Sequence, residues 1–311
     1  MLRVLEPGLY TLVVDQGRPK TRAFGISLGG AADQTSLALG NALVGNASNE
    51  AALEFNLAGP TLRADCQLGC VITGAPFPIH TERRALIVGT TFTLEPGETL
   101  YVGSTPQNIR GYLCVRGGLQ TPTVLGSRSS FHPLTQETNL PCQPSNISKR
   151  HVRYVRQWDE PSPSEIRGEC YRLRILEGSH ARLFPDAWYS EPSGEPRLFR
   201  VNPSSDRMGL RLDSARLPAP EGELVSEPVS PGTIQVTREG QCVILGVDGQ
   251  TIGGYPKIAH VIGADLDTVG QLRPGDAISF HKLTLKEAED IYRKKQAELA
   301  EWLTRIRLIV G

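Results

Sequence analysis

Cys242-Val243-Ile244-Leu245-Gly246-Val247, then Asp248-Gly249-Gln250-Thr251-Ile252-Gly253-Gly254-Tyr255-Pro256-Lys257, then Ile258-Ala259-His260-Val261-Ile262: this stretch decides the fold class. Two short apolar runs flank a polar, glycine-rich loop, which is how brief strands joined by turns read. The same grammar recurs along the chain. Leu9 to Val14, Ala52 to Leu57, Cys70 to Thr73, Thr99 to Val102 and Tyr112 to Val115 all read as strands, with 32 Gly and 23 Pro as punctuation between runs. The chain is therefore expected to be mainly β.

Two segments break the pattern. Asp33 can cap a helix running to Val44, with Leu37, Asn41 and Val44 along one face and Gly45 ending it. Thr284-Leu285-Lys286-Glu287 is a capping-box sequence opening a long C-terminal helix, with apolar residues at Ala288, Ile291, Tyr292, Leu299, Trp302, Leu303 and Ile306. That helix either packs across a barrel or offers a surface to another subunit.

Between Thr135 and Ser164 the chain turns polar and proline-rich, with Pro141, Pro144, Pro161 and Pro163, so the inter-domain region is placed there. The expected domains are 1–150 and 151–311. The halves also echo one another. Gly69-Cys70-Val71-Ile72-Thr73-Gly74 parallels Gln241-Cys242-Val243-Ile244-Leu245-Gly246, and Pro96-Gly97-Glu98 parallels Pro274-Gly275-Asp276, which hints at two related barrels.

Of the 311 residues, 33 are Lys or Arg and 33 are Asp or Glu, so no global basic field exists to hold nucleic acid or an anionic membrane. The N-terminus shows no signal-peptide h-region, and no apolar stretch approaches the roughly 20 residues a membrane span needs; a cytoplasmic protein is expected. The six cysteines, with only Cys66 and Cys70 closely spaced, read as reduced thiols. The histidines make no ligand spacing, and no metal is expected.

Polar residues gather at strand ends in three places. Asp15-Gln16-Gly17-Arg18 turns sharply and leaves Arg18 at a rim, where it pairs with a carboxylate or phosphate, or forms a turn-stabilising ion pair with Asp15. Glu54, inside an apolar strand, needs a partner if buried; it is a base or an acceptor for backbone amides. Asp206-Arg207-Met208-Gly209 repeats the theme of acid, arginine and glycine. In the third cluster Gly253 and Gly254 let backbone N–H groups approach a ligand, Tyr255 offers a flat face with a hydroxyl, and Lys257 supplies positive charge, which suits a small anionic or amide ligand; the plainer reading is a long hairpin. Gly25-Ile26-Ser27-Leu28-Gly29 matches a hydrolase elbow, but a loop rather than a helix follows it. Asp265 and Asp267 read as helix-entry residues.

Asp15-x-Gly17-Arg18, Leu43-Val44-Gly45-Asn46, Ala52-Leu53-Glu54, Gly126-Ser127-Arg128-Ser129, Asp206-Arg207-Met208-Gly209, Gly232-Thr233-Ile234-Gln235-Val236 and Gln250-Thr251-x-Gly253-Gly254-Tyr255-Pro256-Lys257-Ile258-Ala259 together resemble the urea-amidolyase-type carboxyltransferase family, which includes KipA and the C subunits of bacterial 5-oxoprolinases. The resemblance implies two linked cyclophilin-like β-barrel domains. It implies work in a complex with KipI-like and LamB/YcsF-type proteins on a small amide or lactam, with ATP or carboxybiotin supplied through those partners and no covalent cofactor of its own. Asp15, Arg18, Asp33, Glu54 and Lys257 are the expected catalytic residues, and Arg128, Asp206, Arg207, Gln250, Gly253, Gly254 and Tyr255 the expected substrate-binding ones. The alternative is a non-catalytic KipA-like regulator that antagonises a KipI-like kinase inhibitor. The chain departs from the family pattern at Lys20 (usually glycine), Leu210 (usually tyrosine) and Ile252 (usually threonine), and its Ser130-Phe131-His132-Pro133-Leu134 is shorter than the usual glycine-rich segment.

Overall fold

A computed structural model describes residues 1–152, 170–185, 188–191, 193–218 and 224–310. The chain forms two compact units, one of residues 1–19, 29–155 and 297–311, the other of residues 20–28 and 156–296. Pro161 and Pro163 of the expected linker lie outside the described residues.

The first unit holds two antiparallel sheets. One runs in the order Asn139–Leu140, Leu2–Glu6, Thr61–Ala64, Thr99–Val102, Ile79–Thr81, Ala85–Leu86, and the other Thr11–Val14, Ala52–Asn56, Arg110–Val115, Leu68–Gly74, Phe92–Leu94. Alternation along Ala52–Asn56 explains the layering. Leu53 and Phe55 enter the core shared with Leu2, Val4, Leu62 and Leu100, whereas Ala52 lies in a second core under the helix Gln34–Leu43. That helix starts as its sequence predicts: the Asp33 carboxylate accepts from Ser36 N at 3.0 Å and from Ser36 Oγ at 2.5 Å. Leu37, Ala42 and Leu43 complete the second core, joined by Ile306.

In the second unit seven strands close into a barrel, in the order Cys170–Glu177, Lys257–Val261, Thr233–Val236, Cys242–Leu245, Gly209–Asp213, Phe199–Val201, Ala277–Lys282. Closure comes from a parallel pairing of the last strand with the first, Cys170 opposite Ala277 through Ile175 opposite Lys282. Leu173, Ile175, Ile234, Val236, Ile244, Ile258 and Ile278 fill the interior, with Phe199 and Phe280 packed edge to face at 4.9 Å. Leu210, where the family usually has tyrosine, is one of these core residues. Outside the barrel, Glu227–Pro228 and Ile252–Gly253 pair as a separate two-stranded sheet.

The repeated turn has the same chemistry in both units. Gly97 and Gly275 take φ of 83° and 92°, a left-handed conformation open to glycine. Glu98 and Asp276 then each accept a bond from the backbone N–H three residues earlier, Glu95 N at 2.9 Å and Arg273 N at 2.9 Å.

The C-terminal helix spans Leu285–Val310 and opens on the expected box, with Thr284 and Glu287 bonded reciprocally at 2.8 and 3.3 Å. Ala288 and Ile291 pack against Ile262 and Ala264 in the second unit, while Leu299, Trp302, Leu303 and Ile306 pack in the first. Tyr292, placed on the apolar face by the sequence, is 46% exposed. Lys295 takes the buried position instead, its ammonium held by Asp267 at 2.7 Å and Ala264 O at 2.6 Å. Asp265 does precede the helix Leu266–Val269, but its carboxylate does not cap it; it pairs with the Arg174 guanidinium and accepts from Arg174 N at 2.8 Å. Among the described residues no helix is long and apolar enough to cross a membrane.

Candidate functional site

Five of the candidate residues lie in the first unit, and each is engaged by its own neighbourhood. Asp15, 6% exposed, accepts four bonds: Gly17 N at 2.7 Å and Ser127 Oγ, Arg128 N and Ser129 Oγ at 2.6 Å each. Arg18 reaches the same loop, donating to Val124 O at 3.2 Å and Ser129 O at 2.6 Å with its guanidinium 5.1 Å from the Phe131 ring centre. The short segment after Ser129 stays close to the sheet, with Ser130 N donating to Val13 O and Leu134 N to Thr11 O. The Arg128 guanidinium binds Thr121 O and, at 3.3 Å, Gln120 Oε1. Asp33 is the helix cap described above.

Glu54 finds the partners its burial demands. It sits on the helix side of the sheet, opposite both Tyr112 and Leu12, and accepts from Tyr112 Oη at 2.8 Å, Ala32 N at 2.9 Å and Arg110 Nε at 3.3 Å. Burial, and then the Glu54 charge, push the Tyr112 phenol well above its ordinary pKa. The phenol therefore stays protonated and donates a hydrogen bond to Glu54.

The remaining candidates lie in the second unit. Asp206 accepts from Met208 N at 2.8 Å and Gly209 N at 3.1 Å, closing the turn into Gly209–Asp213. Arg207 makes a two-pronged, largely buried pair with Asp248, Nε to Oδ2 at 2.7 Å and Nη2 to Oδ1 at 3.0 Å. This fixes the start of the Asp248–Tyr255 loop, whose carbonyls at Asp248 and Gly249 lie 3.0 and 2.8 Å from Ser27 Oγ. Ser27 is thus a loop anchor, and the chain around it has no strand-to-helix elbow.

Lys257, Gln250 and Gly253 do come together, with residues the sequence reading missed. On the strand Thr233–Val236, Ile234 and Val236 enter the barrel core, so Thr233 and Gln235 face outward. Gln235 pairs across with Lys257, and Thr233 with His260. The small sheet Glu227–Pro228 with Ile252–Gly253 lies against this polar face, for a Cβ on Gly253 would stand 2.6 Å from Gln235 Nε2. A side chain there would have to push the Gln235 amide aside.

Lys257 is 2% exposed, and its ammonium meets Glu227 Oε2 at 3.3 Å as an ion pair without forming an aligned hydrogen bond. Gln235, also 2% exposed, receives a bond from Gln250 Nε2 at 3.3 Å, while its own Nε2 has no acceptor among the described residues. The Lys257 contact draws the Glu227 carboxyl below its ordinary pKa. Burial, and then Lys257, lower the His260 imidazole, whose Nδ1 lies 3.2 Å from Thr233 Oγ1. His180 backs the strand, with Nδ1 3.4 Å from Lys257 N. Tyr255 is 41% exposed beside this site in sequence, and Gly254 approaches Ser226 Oγ. The arrangement presents a buried cation and a buried amide donor, a setting for a carboxylate or a polarised amide oxygen.

All six cysteines are free thiols; Cys70, Cys114 and Cys242 are buried, and burial pushes Cys242 up to about 12. No group of three or more His, Cys, Asp or Glu side chains suited to a metal occurs among the described residues.

The family described as "Carboxyltransferase domain, subdomain A and B" matches residues 24–282. The chain belongs to this carboxyltransferase-domain family. It is 32% identical to the 5-oxoprolinase C subunits of both Haemophilus influenzae and Escherichia coli, over all of this chain and 99% of the first protein, and over 93% of this chain and 93% of the second. With the urea amidolyase of Saccharomyces cerevisiae it shares 28% identity over 93% of this chain and 17% of the yeast protein. Among solved structures, TTHA0988 superposes with a TM-score of 0.77 at 34% identity, covering 90% of this chain and 56% of that one. The Kluyveromyces lactis urea amidolyase, at 24% identity and a TM-score of 0.82 over 97% of this chain and 20% of its own, shares the fold. One departure of this carboxyltransferase-family chain also has a backbone signature: Lys20, where glycine is usual, has φ of 71°.

Proposed function

We propose that the chain is a subunit of a multi-component, ATP-dependent amide hydrolase of the 5-oxoprolinase type, opening a small lactam. The observation that carries this reading is the extent of the likeness, which runs through 99% and 93% of the two 5-oxoprolinase C subunits but 17% of the yeast urea amidolyase. In this reading KipI-like and LamB/YcsF-type proteins complete a cytoplasmic complex, and ATP enters through them. The second unit contributes the electrostatics. Lys257 attracts the carboxylate or the amide oxygen, Gln250 and Tyr255 line its approach, and the Gly254 N–H offers a dipole where negative charge develops on the carbonyl oxygen, the Gly253 N–H being engaged in the sheet pairing with Glu227. Asp15, Arg18 and Glu54 shape and rigidify the first unit.

The test is reconstitution. The purified chain, mixed with its KipI-like and LamB/YcsF-type companions, should support ATP-dependent turnover of 5-oxoproline, and Lys257→Met should reduce it by at least about a hundredfold. Turnover that persists without this chain would sink the proposal. Tight association with the companions and no turnover would mark a KipA-like regulator instead.

A further inference from the structure

The buried ammonium of Lys257 has an unusual counter-charge. Its partner, Glu227, has a 43% exposed side chain and approaches at 3.3 Å from a two-residue strand that pairs with Ile252–Gly253 and is not part of the barrel ladder. A hydrogen bond to that carboxylate from Ser179 Oγ is long at 3.4 Å. A lysine ammonium carries three donors, and this one has no aligned acceptor among the described residues. Its cross-strand neighbour Gln235 keeps Nε2 equally buried and, among the described residues, equally without an acceptor, packed where a side chain on Gly253 would otherwise lie. Two buried donors from paired residues of neighbouring strands, one of them cationic, suit the two oxygens of a carboxylate; Glu227 satisfies one of them imperfectly and does not bond to the other.

We propose that Glu227 is a displaceable counter-ion, and that a small carboxylate ligand replaces it on Lys257 while accepting a second bond from Gln235 Nε2. Glu227 leaves readily because it is already half in water and recovers full hydration when it swings away, whereas the incoming carboxylate satisfies both donors at once. The inference rests on the oxoprolinase reading only for the identity of the natural ligand, whose ring carboxylate would be the exchanging group. Gln235 then becomes a specificity residue, separating a carboxylate from a neutral amide of the same shape.

Calorimetric titration of the full chain tests this with acetate, acetamide and 5-oxoproline as probes. Acetate is expected to bind and acetamide to fail. Glu227→Gln should tighten acetate about tenfold by removing the competing charge, and Gln235→Leu should weaken it about tenfold by removing one charge-assisted bond. Thermal unfolding of each variant confirms that it is folded, and Glu227→Ala provides a second removal of the competitor. Unchanged or weaker acetate binding in both Glu227 variants, equal binding of acetamide, or no acetate binding by any variant would overturn the exchange. Exchange with acetate but no effect of 5-oxoproline would leave Glu227 displaceable and sink the lactam reading. Turnover of 5-oxoproline by the reconstituted complex, with Glu227→Gln failing to tighten acetate, would do the reverse.

Discussion

Replacing Asp15 with alanine should destabilise the first unit by about 4 kcal/mol, chiefly by stranding two backbone donors. Four groups converge on this carboxylate, but they are not equivalent. The hydroxyls of Ser127 and Ser129 can rotate, and both oxygens keep work as acceptors, from Ser129 N at 3.0 Å and Asp15 N at 2.9 Å. Gly17 N and Arg128 N are fixed by the chain, and each buried donor left without an acceptor costs about 1–3 kcal/mol. For a unit of this size about 4 kcal/mol lowers Tm by roughly 12 °C. Scanning calorimetry of the full chain, with Asp15→Asn as comparator, reads this directly. The asparagine keeps one acceptor oxygen and should lose about half as much. A change within about 1 kcal/mol for Asp15→Ala would refute the reasoning, since the loop 124–131 would then hold itself. Full stability in Asp15→Asn with lost turnover would return Asp15 to the chemistry.

Arg207→Met leaves the Asp248 carboxylate largely buried without its guanidinium and should cost about 3–5 kcal/mol, read by urea denaturation. Adding Asp248→Leu should recover most of that loss; a double variant no better than the single would show that the pair is not the cause. The His260 imidazole titrates below its ordinary value of 6.5 in the folded chain, so the unfolded chain takes up a proton first as pH falls. Its contribution is complete above about 6.5 and is lost as pH drops through the depressed folded value. Tm should therefore rise between about pH 5 and 7, and His260→Gln should flatten that slope; an unchanged slope would place the titration elsewhere.

What the sequence made legible was local. The Asp33 cap and the Thr284–Glu287 box involve residues three apart, and the strands follow from runs bounded by glycine and proline. Glu54 announced that it needed a partner but not which, because Arg110 and Tyr112 arrive from a strand more than fifty residues later. Asp267 read as a helix-entry residue, and nothing in its surroundings announced the buried pair it makes with Lys295, 28 residues later. In the site, Gln235 read as one more residue of a strand, and Glu227 carried no local signal at all. The register that sets Gln235 opposite Lys257 and Glu227 opposite Gly253 is a property of the sheets, invisible in any single stretch of chain.

The layer over the five-stranded sheet of the first unit is completed by Ile306, a residue translated after the whole of the second unit. On the ribosome, the N-terminal half therefore cannot mature when its own sheets have emerged; it must wait, with Leu12, Val14 and Leu37 incompletely covered, until the last helix is made. Apolar surface left open over that interval is the kind that aggregates unless it is shielded.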